Sequence, residues 1–122
     1  MADITYSVAM NVNKGLLRSD VAARGITASM TSDSMLSASY SLSTTAASIS
    51  TANLSLAGIA VFRNLSSSTA STAQLGFQVG GSFASFCTLK AGEAAVIRMT
   101  AGRQYEAIGT SGTRLRVDIT EG

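Results

Sequence analysis

The residues best suited to chemistry in this 122-residue chain are four carboxylates, Asp20, Asp33, Glu93 and Glu106. Two paired carboxylates can run glycoside hydrolysis, one as acid and one as base or nucleophile. All four fall at expected turns or strand ends, where a solvated carboxylate is the ordinary state. Cys87 sits in Phe83-Ala84-Ser85-Phe86-Cys87-Thr88-Leu89, and the chain has no histidine to activate it. It reads as a small apolar group or a strand thiol. Without histidine there is no Ser-His-Asp or Cys-His nucleophile and no His-ligated metal. One cysteine forms neither an internal disulfide nor a Cys-rich zinc site. Gly76, Gly80 and Gly81 form a loose cluster that lacks the following Gly-Lys-Ser/Thr of a phosphate loop, so hairpin geometry is its expected role. The Asn53-Leu54-Ser55 and Asn64-Leu65-Ser66 sequons are chance matches expected of a Ser-rich chain.

These absences point away from an enzyme, a cofactor or a metal and toward a binding or structural protein. The basic charge of the last quarter, Arg98, Arg103, Arg114 and Arg116, suits an anionic patch on a partner such as an acidic protein shell. Ordinary solvated strand faces are the alternative, with Glu106 and Asp118 nearby. Tyr6, Tyr40 and Tyr105 are candidates for stacking on sugars, although core packing suits Tyr6 and Tyr40 at their period-two positions. The net charge of +2, with 13% charged residues, is too weak and dispersed for a nucleic-acid footprint.

The elements that must carry these side chains are strands. From Asp3 to Val12, Ile4, Tyr6, Val8, Met10 and Val12 alternate with polar or small residues, which predicts a half-buried strand. Asn13-Lys14-Gly15 is a turn. Leu16 to Ala23 and Ile26 to Met30 read as two short strands bounded by glycines, with a short helix as the alternative for the former. Strands follow at Met35 to Ser43, Leu56 to Leu65 (the most apolar and so expected to be central), Gln74 to Val79, Ser82 to Leu89, Ala94 to Met99, Gln104 to Ile108 and Thr113 to Thr120. Thr44 to Asn53 carries little signal, and Ser66 to Thr72 reads as a loop. In the last strand Leu115, Val117 and Ile119 alternate with Arg114, Arg116 and Asp118.

Eight to ten short strands at roughly ten-residue spacing, divided by Gly, Asn and Ser turns, predict an all-β fold. The expected architecture is an antiparallel β-sandwich, jelly-roll-like, as a single domain over residues 1–122. With no proline to blunt sheet edges, edge protection must come from charge, twist or a neighbour. Ser, Thr, Ala and Gly make up about half of the chain, and there are four Phe, three Tyr and no Trp. Such residues bury little area each, so part of the burial is expected to come from other copies or a host assembly. Met1-Ala2-Asp3 has no basic region followed by an apolar stretch, and Ile59-Ala60-Val61-Phe62 is far short of a membrane span. The expectation is a protein made in a cytoplasm and kept there or released by lysis.

One stretch carries a resemblance. Gly58-Ile59-Ala60-Val61-Phe62-Arg63-Asn64-Leu65 is followed by Gln74-Leu75-Gly76-Phe77. Then comes Phe86-Cys87-Thr88-Leu89-Lys90-Ala91-Gly92-Glu93-Ala94-Ala95-Val96-Ile97-Arg98. This order, about forty residues, resembles small all-β virion proteins of tailed bacteriophages. In physical terms Gly92 supplies a tight turn, Glu93 bonds at the start of the next strand, and Asn64 closes the turn after its strand.

The resemblance implies a virion structural component made in the host cytoplasm. Its favoured form is a capsid decoration or cement protein, a homo-oligomer (often a trimer) docked on the major capsid protein. It implies no nucleic acid, membrane, cofactor or catalytic residue. The expected contact groups are the strand Asp3 to Val12 with Tyr6, the Ser66 to Thr72 loop, and Arg98, Arg103, Arg114 and Arg116. Alternatives are a tail, neck or fibre adaptor, a receptor- or carbohydrate-binding module, and a small Asp/Glu hydrolase.

Overall fold

Period-two alternation of apolar residues with Ser, Thr and charged residues is the recurring pattern of this chain, and it produces strands throughout. The computed structural model describes residues 3–51, 54–100 and 102–122. The Asn53 sequon and Met1-Ala2 therefore lie outside the described residues. The described residues form ten strands: β1 (Ile4–Lys14), β2 (Leu17–Ala28), β3 (Met35–Ser41), β4 (Ala47–Ser48), β5 (Ala57–Asn64), β6 (Thr72–Val79), β7 (Ser82–Lys90), β8 (Ala94–Arg98), β9 (Tyr105–Gly109) and β10 (Arg114–Glu121). All of their pairings are antiparallel. The chain divides into two compact units, Met1–Thr31 and Ser32–Gly122.

The second unit is the sandwich. Its strands form two sheets, ordered β3-β10-β5-β8 and β4-β9-β6-β7. The β3–β4 segment lies alongside β10–β9, and the β5–β6 segment alongside β8–β7, so the chain crosses between sheets at most of its connections. That is the jelly-roll arrangement. The Leu56 to Leu65 stretch is central as expected, because β5 has β10 on one side and β8 on the other.

Alternation then fills the space between the sheets. Ala60 and Phe62 from β5 meet Leu115, Val117 and Ile119 from β10. The opposite sheet contributes Ala73, Leu75, Leu89, Tyr105 and Ala107. Phe62 and Leu115 are completely buried. The core is made of small and medium side chains, in keeping with the Ala- and Ser-rich composition.

The stretch that carries the resemblance forms one bonded corner. Asn64 is fully buried. Its Nδ2 donates to the Leu89 carbonyl at 3.1 Å and its Oδ1 accepts from the Ser66 N–H at 3.0 Å. Its own N–H donates to the Glu93 carbonyl at 3.0 Å, and its carbonyl accepts from the Gly92 N–H at 2.9 Å. Gly92 has φ +80°, the left-handed conformation that favours glycine. Glu93 Oε1 accepts from the Lys90 N–H at 2.7 Å, closing the turn at the start of β8. With both ends of its amide bonded inside the fold, Asn64 is no glycan acceptor in the folded chain. The other end of β5 is tied by Glu121, also buried, whose carboxylate accepts from the N–H groups of Ser55 and Leu56.

The first unit differs from expectation in two ways. Leu16 to Ala23 and Ile26 to Met30 are not two strands. They belong largely to the single strand β2, and Gly25 is a bulge inside it rather than a boundary. The register steps from Tyr6↔Ile26 to Val8↔Ala23, so Arg24 and Gly25 together stand opposite Ser7, one residue more than the partner strand, with Gly25 at φ +64°. The first strand is also not half-buried: Val8 and Met10 are 48% and 55% exposed. The reason is that β1 and β2 pair with each other as a two-stranded sheet. The strands of the two four-stranded sheets lie between Met35 and Glu121.

The Asn64 corner generates a measurable expectation. Asn64→Ala leaves the Leu89 carbonyl and the Ser66 N–H without their partner in a dry site. It is expected to lower the unfolding free energy of the sandwich by about 2–3 kcal/mol in urea titrations. A change below about 0.5 kcal/mol would show that the corner is not holding the fold.

Candidate interaction surfaces

The outward face of the β3-β10-β5-β8 sheet is set by the same alternation that fills the core. Arg116 lies opposite Ser39 on one side and Arg63 on the other. Asp118 lies opposite Ser37 and Val61. Arg114 lies opposite Ser41, and Arg98 opposite Ile59. Four arginines (Arg63, Arg98, Arg114 and Arg116) therefore share this face with one carboxylate, Asp118. Arg63 is not among the arginines that the sequence alone singles out. Its phase along β5, two residues after the outward Val61 and one after the buried Phe62, is the signal that could have placed it there.

Asp118 engages only one of the four. Its carboxylate accepts from Arg116 Nε at 3.2 Å and Nη2 at 3.3 Å, and from the Ser37 hydroxyl at 2.5 Å. The bonded Arg116 guanidinium, with the Ser37 hydroxyl adding to it, holds the Asp118 carboxyl below its ordinary value. The same contact raises Arg116. Among the described residues Arg63, Arg98 and Arg114 have no salt bridge.

Arg103 is placed elsewhere. Its guanidinium carbon stands 5.1 Å from the ring centroid of Phe77. Phe77, Phe86 and Tyr105 form a cluster with centroid separations of 5.9–6.1 Å, and Tyr105 is edge-on to both phenylalanines. These rings line an open depression of about 260 Å³ with Ile97, Arg98 and Thr100.

Phe86 reaches the cluster through a bulge. Leu75 opposes Cys87 and Gly76 opposes Ser85, so Phe86 is the extra residue and remains 46% exposed. Gly76 permits this, since a Cβ there would collide with the carbonyl of Ala84. Tyr105 is the most buried of the three tyrosines, and its hydroxyl accepts from the Thr100 N–H at 2.7 Å. Tyr40 packs against the core as expected. Tyr6 does not, because it stands half-buried on the N-terminal hairpin, where no core exists.

Two of the four candidate acids are engaged in local structure. Glu93 holds its turn, and Glu106 Oε1 accepts from Gln78 Nε2 at 2.7 Å. Asp20 lies opposite Asn11 on the hairpin, and Asp33 is exposed in a bend. Among the described residues no three His, Cys, Asp or Glu side chains gather in a way that would hold a metal ion. Cys87 is half-buried against the core, and burial, with the Glu93 charge adding to it, pushes its thiol up, away from the reactive thiolate. The Ser66 to Thr72 loop is largely exposed, although the Ser66 Oγ accepts from the Arg114 N–H at 3.1 Å.

No family model matches the chain, and no curated protein matches it. It is similar to a solved structure from Bacillus endospore appendages, which form a novel family of disulfide-linked pili. The identity is 17%, over 75% of this chain and 88% of that one, with a TM-score of 0.47. A likeness at that level carries no functional argument.

The Asp118 geometry has a pH signature. A carboxyl whose folded pKa is depressed adds stability that is present above its unfolded value of about 4 and is lost as pH falls through the lower folded value. Asp118→Asn is expected to lower the melting temperature by at most a few degrees at pH 7, since the pair is largely exposed. The gap from the parent should close as pH falls from 4 toward 2. A gap unchanged over that range in melts followed by circular dichroism would rule out the assignment.

Proposed function

We propose that this protein is a structural component of a phage particle, a decoration or cement protein that docks on the capsid and acts as a homo-oligomer. The observation that carries the reading is the outward face of the β3-β10-β5-β8 sheet. It is a strand-built surface on which Arg63, Arg98 and Arg114 point outward and, among the described residues, form no salt bridge. Lone arginines spaced along a sheet suit an acidic protein surface, where each forms a planar, two-pronged contact with a carboxylate. Repetition over many capsid sites turns modest contacts into firm attachment. The mechanism is mechanical, with no bond made or broken. The resemblance of the Arg63-Asn64-Leu65 and Leu89-Lys90-Ala91-Gly92-Glu93 segments to small virion proteins of tailed phages supports the same reading.

A second reading is a tail- or fibre-associated module that binds a host glycan. The depression lined by Phe77, Phe86 and Tyr105, flanked by Arg98 and Arg103, favours it. Exposed aromatic faces stack on sugar rings, and the arginines would select acidic sugars. The absence of tryptophan weighs against it.

Particles lacking this protein separate the readings. Adding the purified protein is expected to restore their resistance to heat. The double variant Arg63→Glu/Arg114→Glu should bind at least tenfold more weakly, and binding of the parent should fall with added salt. Phe86→Ala should bind particles as the parent does. If neither heat resistance nor particle binding is restored, and Phe86→Ala instead abolishes saturable binding to an acidic-glycan array, the second reading replaces the first.

A further inference from the structure

The N-terminal hairpin presents an apolar face whose composition and length point to a specific occupant. Cross-strand partners share a face, so Met10 with Val21, Val8 with Ala23, and Tyr6 with Ile26 all stand on one side. The opposite side carries Thr5 with Thr27 and Asn11 with Asp20. From Ile4 to Val12 and across the paired part of β2, the first side holds no charged residue.

The bulge at Gly25 is what keeps it uniform. Val21 and Ala23 are odd-numbered and Ile26 is even-numbered, so an unbroken strand would send Ile26 to the polar side. The one extra residue of the bulge, where Arg24 and Gly25 stand against Ser7, corrects the phase. A chain that shifts phase to keep one face uncharged from Ile4 to Val12 has a face built for burial. Yet Val8, Met10 and Val21 are 48–55% exposed.

A two-stranded sheet alone in water is marginal at best, so this hairpin needs cover. We infer that the cover is the same face of a second copy of this chain, the two hairpins packing as a small sandwich across a symmetry axis. An apolar face without charges is complementary to itself, whereas a distinct acidic partner would find nothing on it to pair with. The area fits a weak, reversible contact. The stretch from Ile4 to Val12 makes an uncharged seam about 30 Å long and roughly 10 Å wide. Two such faces cover roughly 600 Å², the size of a transient interface. The contact is isologous, each Met10 lying near its counterpart's seam. Other exposed apolar residues, such as Met35 on β3 and Val79 on β6, lie on separate strands of the sandwich.

This inference rests on the self-association half of the function proposed above and is independent of what the sandwich docks on. Its test is sedimentation velocity on the full chain from 1 to 100 µM, those limits being about the range in which an interface of this size associates. The parent should associate reversibly. Met10→Lys, and separately Val8→Lys, should weaken association at least tenfold and leave the melting transition of the sandwich in place. Thr5→Lys, on the polar side, should associate as the parent does. A parent that stays monomeric throughout overturns the inference, as does a Thr5→Lys variant that loses as much association as Met10→Lys. If the parent is monomeric but binds particles in a way that Met10→Lys abolishes, the shell covers this face, and only the docking proposal survives. If Met10→Lys blocks association while the parent never binds particles, the inference stands and the docking proposal falls.

Discussion

The buried amide of Asn64 is the contact on which the sandwich depends. A jelly roll made mostly of alanine, serine and medium-sized aliphatic residues gains little from each core contact, so its corners must be held by bonds with few alternatives. Asn64 uses its side chain and both backbone groups at one corner. It fixes the end of β5 to the end of β7 and to the turn that starts β8. Removed from water, these donors and acceptors have no substitute partners, and that makes the corner specific. Glu121 does the same at the opposite end of β5, binding two backbone N–H groups of the preceding segment. The central strand is thus held at both ends by a polar side chain that would be costly to bury unpaired.

With the strands fixed, their outward faces follow from period-two geometry alone. The phase that buries Leu115, Val117 and Ile119 exposes Arg114, Arg116 and Asp118. The phase that buries Ala60 and Phe62 exposes Val61 and Arg63. A core requirement in two neighbouring strands therefore assembles the arginines into one basic face. Glycine acts differently at the aromatic cluster. Gly76 lets β7 approach closely enough to bulge, and the bulge turns Phe86 out toward Phe77 and Tyr105.

The hairpin follows the opposite logic from the sandwich. It has one apolar and one polar side, regular pairing and a phase correction, and no buried core of its own. The thin supply of large apolar residues expected from composition shows itself here most clearly. Many of the large aliphatic side chains that are exposed lie in the first 31 residues rather than in the core.

Alternation in single segments determined the all-β class, nearly every strand of the sandwich, the central position of β5 and the inward and outward sides of β8 and β10, because side-chain phase is a local property. The turn chemistry of Gly92 and Glu93 was legible for the same reason. What the sequence could not settle was long-range. Gly25 read as a boundary because a glycine between two apolar runs marks a turn or a bulge equally well, and only pairing with Tyr6 and Val8 decides which. Tyr6 read as core because its neighbours alternate, yet whether an apolar face is covered depends on what the rest of the chain brings to it. The sharing of one face by Arg63, Arg98, Arg114 and Arg116, and the separation of Arg103 from them, depended on which strands became neighbours. That choice is made by the burial of both sheets together, and no single segment carries it.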